Sequence, residues 1–362
     1  MGKRAVMLLA LIFLTAFCMT EVKPVSCSPN EAENSWVSKA SMPTSRGFLG
    51  VAAVDGKIYA IGGNGPNKIN EEYNPKANNW TTKEPMPVEE QSFAIAVVEN
   101  KIYCIGGMPT PAQGRNQVYD LATDTWDTKA PMPVARTILQ ANVVEDKIYL
   151  IGGYNPDRPY NTGYELVNTT YVYDTASDTW TTKTPMPIMV PSVSAAIDDK
   201  IYCVNSNITQ IYDTKTDKWS TAAPPPKGLS GESTSAITIA ATTGTVAPKL
   251  IYVYDGFYLQ AYIPANNSWT LGANPPVNRQ YGAMTNLNDT LYLIGGFNDH
   301  VDNIPGFYYF YNDNDQYIPF GYGTVEPVQP PAFPTVPVAI VSGVLIAAVA
   351  AGLLVYFKKR KH

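Results

Sequence analysis

The chain has 362 residues, with 26 Lys and Arg against 31 Asp and Glu and only two His. Apolar residues make up 45%, enough for a sizeable core, which excludes a wholly disordered chain. A net charge of −5 argues against a nucleic-acid binder, and two imidazoles, one of them the last residue, exclude any site that needs a pair of them within the fold.

The two ends read as addresses. Lys3 and Arg4 precede an apolar run over 5–17, the pattern of a signal peptide ending near residue 18 and too short to span a bilayer. Cys18 follows Phe17, where lipidation wants a small residue, so the fit to a lipoprotein is poor. Near the C-terminus, residues 338–357 carry no charge and are long enough to cross about 30 Å of hydrocarbon as one transmembrane helix. Lys358, Lys359, Arg360 and Lys361 follow at once, a basic cluster that stays cytoplasmic. Residues 324–337, with Pro327, Pro330, Pro331, Pro334 and Pro337, read as an extended stalk at about 3.1 Å per residue. The expectation is a single-pass protein of the cell membrane, with everything before the span extracellular and a basic tail, 358–362, inside. Without its two basic ends, the exterior holds twenty basic against 31 acidic residues, which disfavours polyanionic partners such as nucleic acid.

Between the ends the sequence repeats. Lys57-Ile-Tyr-Ala-Ile-Gly-Gly63 returns as Lys101-Ile-Tyr-Cys-Ile-Gly-Gly107, Lys147-Ile-Tyr-Leu-Ile-Gly-Gly153 and Thr290-Leu-Tyr-Leu-Ile-Gly-Gly296. Weaker copies begin at Lys200 and Leu250, with Val204-Asn205 and Tyr254-Asp255 in place of the glycines. A second Tyr follows each time, with Trp seven residues later: Tyr73/Trp80, Tyr119/Trp126, Tyr173/Trp180, Tyr212/Trp219 and Tyr262/Trp269. The residues between them are turn formers, so each Tyr–Trp pair reads as a hairpin. Each unit predicts four short strands: a small apolar one such as 50–54 or 94–98, the Ile-Tyr strand, the strand ending at the second Tyr, and the Trp strand.

The Gly doublet, the later Tyr and the Trp resemble the kelch repeat. The resemblance spans about 36–317, and six units imply a six-bladed β-propeller over residues 30–323, an all-β fold. The sixth unit lacks its Trp: seven residues after Tyr311 stands Ile318. Trp36, meanwhile, stands ahead of the first unit and is followed by Met42-Pro43 as other units are by Met86-Pro87, Met132-Pro133 and Met186-Pro187. The strand around Trp36 is therefore expected to close the last blade as its outer strand; the alternative puts 316–320 in that slot.

Candidate chemistry is sparse. Cys104 and Cys203 fall at the same place in units two and four, too far apart for a bridge, and read as buried thiols. His300 is the only imidazole outside the tail, so no metal or other cofactor is expected. Three residues after the Met-Pro or Pro-Pro pairs stand Arg46, Glu90, Arg136, Val190 and Arg279. As a ring at one mouth of a central channel, with Arg158 overhanging it, they would suit a carboxylate or sugar acid. Equally, the arginines would satisfy loop carbonyls or pair with neighbouring acids. Sequons at Asn79, Asn168, Asn207, Asn266 and Asn288 would carry glycans in an exported protein of a glycosylating host. The functional expectation is a non-catalytic binding, adhesion or scaffold module with a protein or carbohydrate partner at the cell surface. The alternative is an exported enzyme acting on a sugar acid, since the resemblance extends to propellers that are sialic-acid mutarotases.

Overall fold

The computed structural model describes residues 32–64, 68–108, 114–156, 165–229, 236–298 and 309–324. The expected signal peptide, stalk, transmembrane helix and tail lie outside them. Among the described residues no helix is long and apolar enough to cross a membrane.

Six four-stranded antiparallel sheets form the six blades of the propeller. In blade 1 the strands run from the axis outward as Gly50–Val54, Lys57–Ile61, Asn70–Asn74 and Asn79–Thr82, and blades 2 to 5 repeat that order. Blade 6 is Ala283–Leu287, Thr290–Ile294, Asn314–Ile318 and, from the other end of the chain, Ser35–Ser38. Trp36 is in register with Tyr317. Residues 314–318 thus hold the third position of that blade, and the Tyr that matches Tyr73 or Tyr119 is Tyr317 rather than Tyr311.

The core is divided into six hydrophobic clusters, each lying between two adjacent blades. Every blade is therefore covered on both faces, and its second strand is apolar on both sides, as in Ile58, Tyr59, Ala60 and Ile61. The two tyrosines of the repeat meet across these interfaces. Tyr59 of blade 1 packs on Tyr119 of blade 2 with ring centroids 5.8 Å apart, and Tyr103 on Tyr173, Tyr149 on Tyr212 and Tyr202 on Tyr262 repeat the contact. The Trp is only partly buried; it lies against the Tyr of its own hairpin and sends its indole N–H to the previous blade, as from Trp126 to the Glu84 carbonyl at 2.9 Å.

Hairpin turns between first and second strands, such as Asp55-Gly56, lie on one face of the disc with those between third and fourth strands. The opposite face carries the lead-in loops, which join one blade to the next, and the connections between second and third strands. Ser35 pairs with Ile318, and Gly323 donates to the Val246 carbonyl in the first turn of blade 5 at 2.8 Å, so residues 32 and 324 both leave from the hairpin-turn face.

Candidate functional site

The six inner strands surround an axial cavity of 440 Å³. Leu49, Val51, Ile95, Ala195 and Ile239 line it together with Asn142, Ser194, Thr238 and Asn286; none of its lining side chains is ionisable except the Tyr281 phenol. The Asn142 amide donates to Ser194 Oγ at 2.8 Å and Asn286 to the Ala241 carbonyl at 2.8 Å, while Ser92 Oγ and Asn286 Oδ1 are buried without a partner. Phe48, Ser92, Ile138 and Tyr281 lie at the mouth on the lead-in face.

The Gly doublet makes this geometry possible. Gly107 donates to the Arg136 carbonyl of the next lead-in loop at 2.9 Å, and a Cβ on Gly106 would sit 2.5 Å from that same oxygen. The same close approach recurs between Gly295 and the Arg46 carbonyl. No side chain fits there, which is why the doublet repeats. Two residues beyond each Arg or Glu position the chain enters the left-handed region at Phe48, Ser92, Ile138 and Tyr281, with φ between 53° and 57°. Their N–H groups run around the mouth: Ile138 to the Ser92 carbonyl, Ser92 to Phe48 and Phe48 to Tyr281, each 2.9 Å. Bulky residues rarely adopt this conformation; the circumferential bonds hold it here. Nothing in their side-chain types signals it in the sequence. In blades 4 and 5, where the doublet is missing, Asn205 and Asp255 make tight turns instead, with Asp255 Oδ1 accepting from Phe257 and Tyr258 at 2.9 and 2.7 Å.

The charged residues of the lead-in loops do not line the cavity. Arg46 and Arg279 turn into their own blades and are fully buried. Arg46 Nη1 meets Glu71 at 2.7 Å and Nη2 the Ala60 carbonyl at 2.8 Å. Arg279 meets Asp315 at 2.8 Å and the carbonyls of Gly295 and Leu293 at 2.9 Å. Both guanidinium groups are thus held by an acid and backbone of the same blade, not presented to a ligand. Arg136 lies over the Tyr171 ring at 5.7 Å and donates to the Ala135 carbonyl. Glu90 inverts the sign: it accepts from Arg115 at 2.7 Å, and its second oxygen is buried without a partner. Burial pushes the Glu90 carboxyl up to about 7, against the pull of Arg115. Arg158 lies outside the described residues.

Where the lead-in loop lacks Arg, a Gln at the second position of the third strand holds it. Gln117 clamps both the N–H and the carbonyl of Val88, and Gln210 does the same to Ile188. Glu71, Asp315 and Tyr171 occupy that same strand position. The ring of charges is therefore one version of a blade-to-loop clamp found in every unit.

Asn79, Asn207, Asn266 and Asn288 are exposed, whereas Asn168 is half-buried and donates its amide to the Met186 carbonyl at 2.9 Å. Cys104 and Cys203 are free and buried, and burial pushes the Cys203 thiol up to about 12. Among the described residues no three His, Cys, Asp or Glu side chains are grouped to hold a metal; His300 lies outside them.

A family model described as the KLHDC2/KLHL20/DRC7 Kelch-repeats domain matches residues 49–247. Among solved structures, one described as "Structure of YjhT" is similar with a TM-score of 0.59 at 14% identity, covering 76% of this chain and 95% of that one; such a likeness speaks for the fold alone. No curated protein matches the chain. Six blades built on the Gly doublet, the paired tyrosines and the indole contact, together with the family match, identify the chain as a member of the kelch-repeat family.

Proposed function

We propose that the chain is a single-pass membrane protein that holds its propeller outside the cytoplasm and uses the lead-in face as a non-catalytic docking surface for proteins. One observation carries this reading. Of eight exposed large apolar side chains among the described residues, seven lie in lead-in loops or second-to-third-strand connections, and the eighth, Leu271, ends an outer strand. Val88, Val134 and Ile188 each follow a Met-Pro pair whose Met is buried, so the repeat itself projects an apolar residue. Solvent-exposed apolar groups gathered on one face mark an interaction surface. Both chain ends leave from the other face, so a tether over 324–357 would present the docking face away from the bilayer.

A sugar-acid enzyme is less well supported. A carboxylate entering the axial cavity would find no cation in its lining and would lose its hydration without compensation. Two of the arginines that suggested such a substrate, Arg46 and Arg279, are engaged inside their blades.

Protease added to intact cells should remove a propeller epitope and spare a tag on the tail; loss of the tail tag would overturn the topology. In the same cells Phe257→Asp should abolish adhesion or partner binding without lowering surface abundance. Unchanged binding would remove the lead-in face from the proposal.

A further inference from the structure

We infer that the axial cavity is a binding site for an uncharged, ring-shaped polyol, a neutral sugar or cyclitol, that enters from the lead-in mouth. The inference is independent of the docking surface: the residues it uses belong to the inner strands or stand just ahead of them.

At 440 Å³ the cavity has the size of a small-molecule site, and every residue lining it is a described one. Much of its wall is strand edge. Each inner strand pairs only with the second strand of its blade. The two-residue turn at Asp55-Gly56 makes Val54 and Lys57 a hydrogen-bonded pair, so Val51, three residues back, aims its N–H and C=O the other way, toward the axis. Ile95, Ala141 and Ile239 hold the same place in blades 2, 3 and 5. Two lining side chains add to these groups. The Gln140 amide and the Thr285 hydroxyl are half-buried and make no hydrogen bond to the protein among the described residues. They come from blades 3 and 6, which face each other across a ring of six.

The lining selects the class of ligand. An ion would lose its hydration with no counter-charge in the wall. A wholly apolar molecule would displace water from the strand edges and from Gln140, and leave those groups unpaired. A hydroxyl both donates and accepts, as water does, so a polyol can replace the water bond for bond. The mouth supplies the other half of the recognition. Phe48 and Tyr281 meet there with ring centroids 4.6 Å apart, and Phe297 backs Tyr281 in a stack at 4.3 Å. This braced aromatic corner offers a surface for the C–H face of a sugar ring. The left-handed backbone at Phe48 and Tyr281 fits the same reading, since such conformations cluster at ligand sites.

Calorimetric titration of the full chain, in a detergent without a sugar headgroup, tests this. The probes are glucose, galactose and myo-inositol, each beside its charged counterpart, glucuronate, galacturonate and inositol monophosphate. At least one neutral probe should bind with one site per chain, and its charged counterpart should bind about tenfold weaker or more. Gln140→Leu and Thr285→Val should each weaken the neutral probe by about fivefold, the loss of one hydrogen bond. Neither side chain bonds to the protein, so the melting temperature of each variant should match the wild type; a structural role would move it. No binding of any neutral probe at high millimolar concentration means that the cavity holds water alone and overturns the inference. Tighter binding of the acids also overturns it and returns the site to the lead-in arginines. Neutral binding indifferent to both variants places the sugar elsewhere and overturns it as well.

Discussion

Trp36 and Tyr317 pack with ring centroids 5.0 Å apart and planes tilted by 46° although they come from opposite ends of the propeller. The Trp36 indole donates to the Ala273 carbonyl at 2.7 Å, and the Tyr317 phenol donates to Asn34 Oδ1 at 2.8 Å. Asn34 in turn accepts the Ala273 N–H at 2.6 Å. This is the same clamp that Trp80, Tyr73 and Asn78 close on Ala40, and Trp180, Tyr173 and Asp178 on Ala130. The seam of the ring is thus built like every other blade junction.

Closure should therefore be as costly to break as any internal junction. Trp36→Ala removes the ring contact, the indole bond and part of the cluster around Tyr252 and Tyr317, and should cost about 3 kcal/mol. Deleting residues 32–42 goes further and exposes the edge of Asn314–Ile318 to pairing with other chains. Thermal melts and light scattering measure both effects. A truncated chain that melts with the wild type and stays dispersed would mean that the strand is dispensable.

Within a hairpin the Tyr should outweigh the Trp. Tyr119 is fully buried between blades 1 and 2, whereas Trp126 is half-exposed at the rim. Tyr119→Ala should cost about 3–5 kcal/mol and Trp126→Ala about 2 kcal/mol. Tyr119→Phe removes only the bond to Asp124 and should cost about 1 kcal/mol. Chemical denaturation of the three variants gives the order, and a larger loss for Trp126→Ala would reverse the assignment of which aromatic carries the interface.

The fold was legible because repetition multiplies weak signals. One Tyr-to-Trp spacing means little, but five aligned copies place strands and turns for most of the chain, and the orphan Trp36 then indicates where the sixth outer strand comes from. The lead-in residues were harder. Arg46, Glu90, Arg136 and Arg279 do occupy equivalent positions, yet side-chain direction is not encoded in spacing. Whether Arg46 points to the axis or back into its blade depends on Glu71, a residue on a strand that the repeat alone does not pair with it. Reading down the third strand would have helped, since acid stands at 71 and 315 opposite Arg, and Gln at 117 and 210 opposite Glu and Val. The left-handed Phe48, Ile138 and Tyr281 had no signal at all, because only the surrounding hydrogen bonds impose that conformation.

Arg279 is accordingly a structural residue in these terms. Arg279→Ala strands the buried Asp315 carboxylate and the Gly295 and Leu293 carbonyls, and should destabilise the chain by about 3–5 kcal/mol. Replacing both partners, Arg279→Met with Asp315→Leu, should recover only the part of that loss due to the charge, because an apolar pair needs no counter-charge but leaves the two carbonyls unpaired. Urea titrations of the single and double variants form the test. A single variant of wild-type stability would mean that the pair is not buried as described.

Glu90 predicts a pH response of definite sign. Its folded carboxyl titrates near 7, above its ordinary value of 4.5, because burial outweighs the Arg115 contact. The folded state therefore holds the proton more tightly than the unfolded state does. This group's contribution is most favourable below about pH 4.5 and is progressively lost as pH rises through 7. Glu90→Gln stays uncharged and should flatten that part of the profile, narrowing the gap in melting temperature between pH 5 and pH 8 relative to the wild type. Glu89 also raises it, and Glu89→Gln should lower the Glu90 midpoint only slightly, since it is the weakest of the influences on that carboxyl. Melts of the three proteins across that range decide it. A wild-type profile that rises from pH 5 to pH 8 by the same amount as that of Glu90→Gln would show that Glu90 is ionised in the folded chain throughout and that its second oxygen finds a donor in solution.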